Sequence, residues 1–195
     1  MLPEVTFPAL LETRRLVLRR YGPGDAPGIL ELVRKNRTGL VQNFSEMATR
    51  LSREEEATGF IQDKAEQWNA GKAFCYGIWR KTSEEQIGQL QVKNIVWNVP
   101  SAELSYFIGN SFQRQGFATE AVSAVLRTAF EEFDFERIFV RIIPSNQESI
   151  SLASKLGFKH EGLHRNEFRC GFGELHDVHY FSLTKDDFRS GATNV

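Results

Sequence analysis

The segment YFIGNSFQRQGFATEAV (residues 106–122) holds the residue types with the most chemical promise. In it a strand pattern runs through Gln113, Arg114, Gln115, Gly116, Phe117, Ala118 and Thr119 straight into a helix pattern. A helix N-terminus leaves four backbone N–H groups unpaired and carries about half a positive charge, which makes it a ready anion site. Gly116 and Ala118 are small enough to let a diphosphate approach the backbone, while Gln113, Arg114 and Gln115 place polar and cationic groups on the rim. Neither common phosphate loop is present: Gly71-Lys72 is followed by Ala73 and so fails GxxxxGK[ST], and no GxGxxG occurs.

Asn146, in NQES, stands where it can cap a helix that stops at Gly157, and the same side chain could face a ligand instead. Cys170, His176 and His179 form a CxxxxxHxxH spacing, but in a strand i and i+3 point to opposite faces, so no metal site is expected. Arg14, Arg15, Arg19 and Arg20 are split by alternation between two faces and make no single stripe for nucleic acid. SREEE (residues 52–56) reads as a solvated helix start, where carboxylates suit the dipole. Phe44, Trp68, Trp79 and Trp97 read as core, although the loop around Phe44 could cover a substrate.

These residues belong to a chain of ordinary globular composition. Its 195 residues are 41% hydrophobic and 25% charged, outside the disordered regime. At roughly 100–200 residues per domain, one domain is expected over 1–195, with its core at about 13–188. Lys+Arg number 24 against 25 Asp+Glu, a net charge of −1, which argues against binding nucleic acid through counterion release. The longest charge-free stretch, residues 104–113, is about half of what a membrane-spanning helix needs, so no membrane partner is expected. The start, MLPEVTFPAL, lacks a basic cluster followed by an apolar run, and no secretory signal is expected. Two cysteines, Cys75 and Cys170, suit a reducing, cytoplasmic compartment as buried thiols.

The elements that must position the site follow from periodicity. RLVLRRY (15–21) alternates as a first strand, and Asp25 can cap a short helix behind it. Residues 36–49 read as helix and loop. Ser52 with Glu55 reads as a capping box that opens a long helix to about Asn69, closed at Gly71. Strands are predicted over 73–79, 86–97 and 102–108, with breaks short enough for antiparallel hairpins. A helix over 116–133 carries Val122, Val125, Leu126, Ala129, Phe130 and Phe133 on one face. A strand over 137–143, the helix capped by Asn146 and strands over 159–168 and 176–183 complete the order β-α-α-β-β-β-α-β-α-β-β. Antiparallel strands followed by a crossover helix imply a mixed sheet of the α/β class with helices on its faces.

The hexapeptide from Gln113 to Ala118 resembles the acyl-CoA signature [QR]xxGx[GA] of the GNAT superfamily of N-acyltransferases. Its context makes the resemblance specific. The signature joins the fourth strand to the third helix, NQES and KLGF (155–158) match a second family motif, and ETRRLVLRRYGPGDA resembles the opening of the branch that acetylates ribosomal-protein N-termini, the Rim type. The similarity runs from about Thr13 to Phe188. It implies a mostly antiparallel, seven-stranded sheet splayed between its fourth and fifth strands, flanked by about four helices. It also implies acetyl-CoA as cosubstrate. The N–H groups of Gln113 to Ala118, with Thr119 behind them, would hold the CoA pyrophosphate; the edge of the strand from Leu104 to Ile108, with Phe107 and Ile108 as its contacts, would pair with the pantetheine arm, within reach of Asn146. A homodimer would suit the family.

Transfer to an amine needs a neutral nitrogen and a proton for the leaving thiolate. At pH 7 roughly one α-amine in ten is neutral, but under one lysine in a thousand, so an N-terminal acceptor asks less of a base. Glu103, at the start of the fourth strand, and Glu167, in EGLHRNEF, are the candidate carboxylates. The tyrosine that many family members place four residues before the glycine of LGF is Ala153 here, which leaves Ser149 as proton donor and a second CoA contact. Neither cysteine lies in a motif position for a nucleophile, so direct attack in a ternary complex is expected, with a protein α-amine as favoured acceptor. The alternatives are a small amine (a polyamine, an aminoglycoside or an amino acid) and binding of acyl-CoA without turnover.

Overall fold

Alternation of apolar and polar residues builds eight strands into one sheet. They are β1 (Leu10–Glu12), β2 (Leu16–Arg20), β3 (Phe74–Arg80), β4 (Gln86–Val96), β5 (Ser101–Ile108), β6 (Arg137–Ile142), β7 (Lys159–Arg169) and β8 (Leu175–Thr184), in the order β1-β2-β3-β4-β5-β6-β8-β7. The structure, a computed structural model, describes residues 7–192, the side chains of Ser45, Glu46 and Ala192 aside. The first six residues of MLPEVTFPAL, on which the expected lack of a secretory signal rests, lie outside the described residues.

Each face of the sheet buries its own set of side chains, as a two-residue period requires. On one face Leu16, Leu18, Phe74, Tyr76, Leu90 and Val92 pack against α5 (Phe117–Arg127) through Ala121, Val122 and Val125. On the other, Tyr21, Cys75 and Phe107 meet α1 (Ala26–Lys35) and α4 (Glu54–Asn69) through Ile29, Val33 and Phe60. Each fully buried aliphatic side chain of this kind contributes about 1.5–3 kcal/mol. Between α1 and α4 lie α2 (Arg37–Asn43) and α3 (Ser45–Arg50); α6 (Gln147–Lys155) follows β6, and α7 (Lys185–Ala192) follows β8.

The feature that positions the site is a split. All neighbouring strands are antiparallel except β5 and β6, which pair in parallel only at Ser101–Glu103 against Arg137–Phe139. From Leu104 to Ile108, β5 has β4 on one side and no β6 pairing on the other. Pro144, which has no N–H to donate, follows the end of β6.

The architecture is the expected mixed α/β class, with differences of detail. Among the described residues there are eight strands rather than seven, because the three-residue β1 pairs with β2 at the sheet border, so the splay lies between the fifth and sixth strands. There are seven α-helices among the described residues rather than about four: residues 36–49 form α2 and α3, and α7 follows the last strand. Phe7, 1% exposed, extends the core ahead of residue 13. The helix of residues 116–133 starts at Phe117, with Gly116 outside it, and after Arg127 widens into one π turn over Thr128–Glu132. At the start of α4 the capping carboxylate is Glu56, not Glu55: it accepts from the backbone N–H of Ser52 (2.9 Å) and Arg53 (3.0 Å). The Ser52 hydroxyl, its backbone N–H and Arg53 hold the Glu56 carboxyl down to about 2. No helix among the described residues is long and apolar enough to cross a membrane.

Candidate active site

The loop from β5 into α5 is shaped by backbone conformation. Arg114 (φ 59°) and Gly116 (φ 79°) both take left-handed conformations, a curl of the kind in which successive N–H groups face one concave side. Gly116 caps α5, and a Cβ there would be strained by its φ and would lie 3.4 Å from the Arg15 guanidinium. A carboxylate lock holds the first turn of α5 to the start of β2. Glu120 Oε1 accepts from the Thr13 hydroxyl at 2.6 Å and the Arg15 N–H at 2.8 Å, and Oε2 accepts from Arg15 Nε at 2.6 Å. Arg15 also donates to the Gln115 carbonyl at 2.9 Å and lies 4.4 Å from the Phe117 ring centroid. Burial pulls the Glu120 carboxyl up, but donors from Thr13 and Arg15 outweigh it and hold it below its ordinary value.

This loop, the free edge of β5 and the first turns of α5 and α6 line a cavity of about 730 Å³, with α2 along another side. Phe107, Ile108, Gln113, Arg114, Gly116, Phe117, Ala118, Thr119, Asn146 and Ser149 all line it. Gln115 does not; its side chain turns away to donate to the Ser111 carbonyl at 3.1 Å. Gln113 donates to the Ile108 carbonyl at 3.0 Å, which ties the loop to the end of β5.

A second cavity, of about 300 Å³, lies beyond a neck whose walls belong to both: Asn43, Phe44, Tyr106, Asn146 and Ser149. Asn146 does two jobs with two atoms. Its Oδ1 accepts from the Ser149 N–H at 3.1 Å and caps α6, and its Nδ2 donates to Asn43 at 3.3 Å across the neck. Tyr106 is the neck residue that pattern reading missed. Its hydroxyl is buried beside that of Ser149. Burial pushes its ionisation up to about 12, with the neighbouring Ser149 hydroxyl countering part of the rise. On a strand of core residues an aromatic at 106 looks like core; only the parting of β5 from β6 turns it into a wall.

The second cavity rests on a row of charges across the sheet. Glu103, 3% exposed, sits opposite Lys93 of β4 in register and accepts from Asn94 Nδ2 at 2.6 Å. Arg141 Nε lies 3.1 Å from Glu103, and Lys93 Nζ lies 3.4 Å from the same oxygen. Arg141 then reaches Glu167 at 3.3 Å, and Glu167 also accepts from the Tyr180 hydroxyl. Burial raises the Glu167 carboxyl, while Tyr180 and Arg141 outweigh it and hold it below its ordinary value. The two candidate carboxylates are therefore joined through one guanidinium. Glu103 lines the cavity and Glu167 lines neither.

The remaining candidates are occupied elsewhere. Arg19 pairs with Asp25 (2.8 Å) over the Trp79 ring, and Arg20 donates to Asn69 at 2.8 Å. Trp68 is buried and Trp97 packs edge-on against Phe135, whereas Phe44 covers the neck beside Phe107. His179 bonds His160 at 2.9 Å. Cys170 instead lies with Glu174 and His176, their ligand atoms within 4.8 Å of one another at the β7–β8 turn.

With this geometry in hand, comparison with known proteins is informative. The acetyltransferase (GNAT) domain family matches residues 15–159. The chain is similar to the uncharacterised N-acetyltransferase p20 of Bacillus licheniformis, with 30% identity over 178 residues, 91% of this chain and 97% of that one. It is also 30% identical over 122 residues to the [ribosomal protein uS5]-alanine N-acetyltransferase of Escherichia coli, 62% of each chain. In fold it is similar to RimL, a ribosomal L7/L12 α-N-protein acetyltransferase solved with coenzyme A, at a TM-score of 0.82 and 24% identity, covering 93% of this chain and 98% of that one.

Proposed function

The chain belongs to the GNAT acetyltransferase family, and from that premise we propose direct transfer of acetyl from acetyl-CoA to a primary amine, favouring a protein N-terminal α-amine. It is an acyl-CoA N-acetyltransferase. The observation that carries the reading is the neck, where a large cavity against a helix N-terminus meets a small one over Glu103, with two hydroxyls between.

The residues present fit acetyl-CoA, which supplies the reactive thioester. The curl at Arg114–Gly116 and the first turn of α5 offer N–H groups to a diphosphate, on a backbone whose φ of 79° at Gly116 suits glycine. Phe107 and Ile108 lie where β5 has no β6 partner, so backbone groups there can pair with the amides of an extended arm. Ser149 and Tyr106 stand at the neck with hydroxyl protons to offer a leaving thiolate. A thiol of pKa about 8.5 leaves well enough that hydrogen bonds suffice. Glu103 is the carboxylate placed to draw in the amine and take its proton through water. Arg141 and Lys93 flank Glu103, and Glu167 fixes Arg141. Glu167 is thus read as a positioning residue.

The test is acetyl-CoA consumption with a panel of N-terminal peptides and small amines. Turnover of peptides is expected. Turnover of small amines alone would break the peptide reading, and tight CoA binding with no turnover of any amine would break the enzyme reading.

A further inference from the structure

The cavity beyond the neck carries a charge imbalance that the transfer chemistry does not use. Lys64 on α4, Lys93 on β4 and Arg141 on β6 line it with one carboxylate, Glu103. Glu103 is already engaged by Arg141, Lys93 and Asn94, and Arg141 is shared with Glu167. Arg50, which also lines the cavity, is paired with Asp63. Lys64 is different. Its ammonium donates to the Gln67 amide at 3.4 Å, a long contact, and lies 5.1 Å from the Phe60 ring centroid; no carboxylate pairs with it among the described residues. The sequence of α4 explains why, since its helix neighbours at i−4, i+3 and i+4 are Phe60, Gln67 and Trp68, none of them acidic.

The rest of the wall near Lys64 is apolar, with Phe44, Met47 and Phe60. A volume of about 300 Å³ admits the end of a chain or a small molecule rather than a folded surface. Beside Lys64 a cation meets a like charge, whereas an anion meets a donor with no carboxylate to displace.

We propose that the acceptor carries a carboxylate or phosphate a few bonds from its reactive amine, and that Lys64 receives that anion. The proposal rests on the N-acetyltransferase reading and narrows its substrate class to acid-bearing amines. The anion could belong to an acidic side chain next to a peptide N-terminus or to a small amino acid or phosphorylated amine.

The test uses matched acceptors on the full chain: Ser-Asp-led and Ser-Asn-led peptides, and small amines with a carboxylate or phosphate against their amide or alcohol counterparts. The acid-bearing member of at least one pair is expected to have a kcat/KM about tenfold higher, and which pair responds tells peptide from small molecule. Lys64→Gln should reduce that ratio severalfold, while Lys72→Gln, an exposed lysine outside both cavities, should leave it alone. Calorimetry of N-acetylated Ser-Asp and Ser-Asn peptides, and of acid and amide forms of the small N-acetyl product, on the CoA-loaded protein reads the same preference without turnover. Acid-selective binding that Lys64→Gln abolishes supports the proposal even if no amine is acetylated, an outcome that breaks the enzyme reading instead. Equal use and equal binding of acidic and neutral members, or equal losses for both in Lys64→Gln, overturns it.

Discussion

The two halves of the cleft are made of different material. The half proposed for the donor takes its longest contiguous stretch of wall from Phe107 to Thr119, which offers backbone N–H groups, left-handed turns and an open strand edge. The half proposed for the acceptor is lined by residues from Asn43 to Val178, most of them side chains of α3, α4, β4, β5, β6 and the β7–β8 pair. A backbone site tolerates most side-chain identities but not a Cβ in the wrong place. A side-chain site tolerates nothing at its charged positions yet can be retuned by single substitutions.

This contrast can be attacked from both sides. The largest effect is expected at the neck: Ser149→Ala combined with Tyr106→Phe should lower kcat about 100-fold while the acetyl-CoA Kd stays within about twofold. A matching loss of cofactor affinity would reassign both hydroxyls to binding. Next, Gly116→Val puts a β-branched residue at φ 79° and should raise the acetyl-CoA Kd about tenfold. Acceptor preference should not move, and if it does the two halves are not separable. Glu120→Gln weakens the lock on Thr13 and Arg15 and should cost about 1–2 kcal/mol by urea denaturation at pH 7, discounted because Arg15 is partly exposed.

The pH dependence of that loss has a definite sign. The folded carboxyl of Glu120 lies below its unfolded value near 4.5, so its contribution is complete above that value. It disappears as the pH falls through the lower, folded value. Wild type and Glu120→Gln should therefore converge in stability in acid and differ by a constant amount above about pH 6. The smallest effect belongs to Arg114→Gln. Its pair with Glu148 is 3.5 Å long between side chains 85% and 68% exposed, so the loss in stability should be under about 0.5 kcal/mol. Any change in acetyl-CoA affinity should be a few-fold and should vanish in high salt.

Pattern reading succeeded where the information is local. The helix-forming face of α5, the Asn146 cap and the strand–loop–helix junction are written in residues close in sequence, and the structure places them accordingly. It fell short where a partner decides. The three residues of β1 are a strand because β2 lies beside them, and Glu56 rather than Glu55 caps α4 because the helix begins at Glu54. Gln115 has the same type as Gln113 yet turns out of the cavity to the Ser111 carbonyl, with the left-handed Arg114 between the two breaking simple alternation. Glu103 and Glu167 are visible as acids, but their joint hold on Arg141 needs β5, β6 and β7 in register. Tyr106 and Lys64 have no local mark: one reads as core, the other as a solvated helix lysine.

The parting of β5 from β6 has a consequence for solubility. An unpaired strand edge at the border of a sheet invites other chains to add to it, and proteins spend charges, bulges and covering loops to prevent this. Here the open edge is interior, with β6 and α6 beyond it. A polypeptide strand, with side chains on both faces, would have to force its substituents into the cavity walls, whereas a thread of amides without side chains would not. The protein thus keeps sticky backbone groups exposed to one slender kind of guest while withholding them from its own unfolded neighbours.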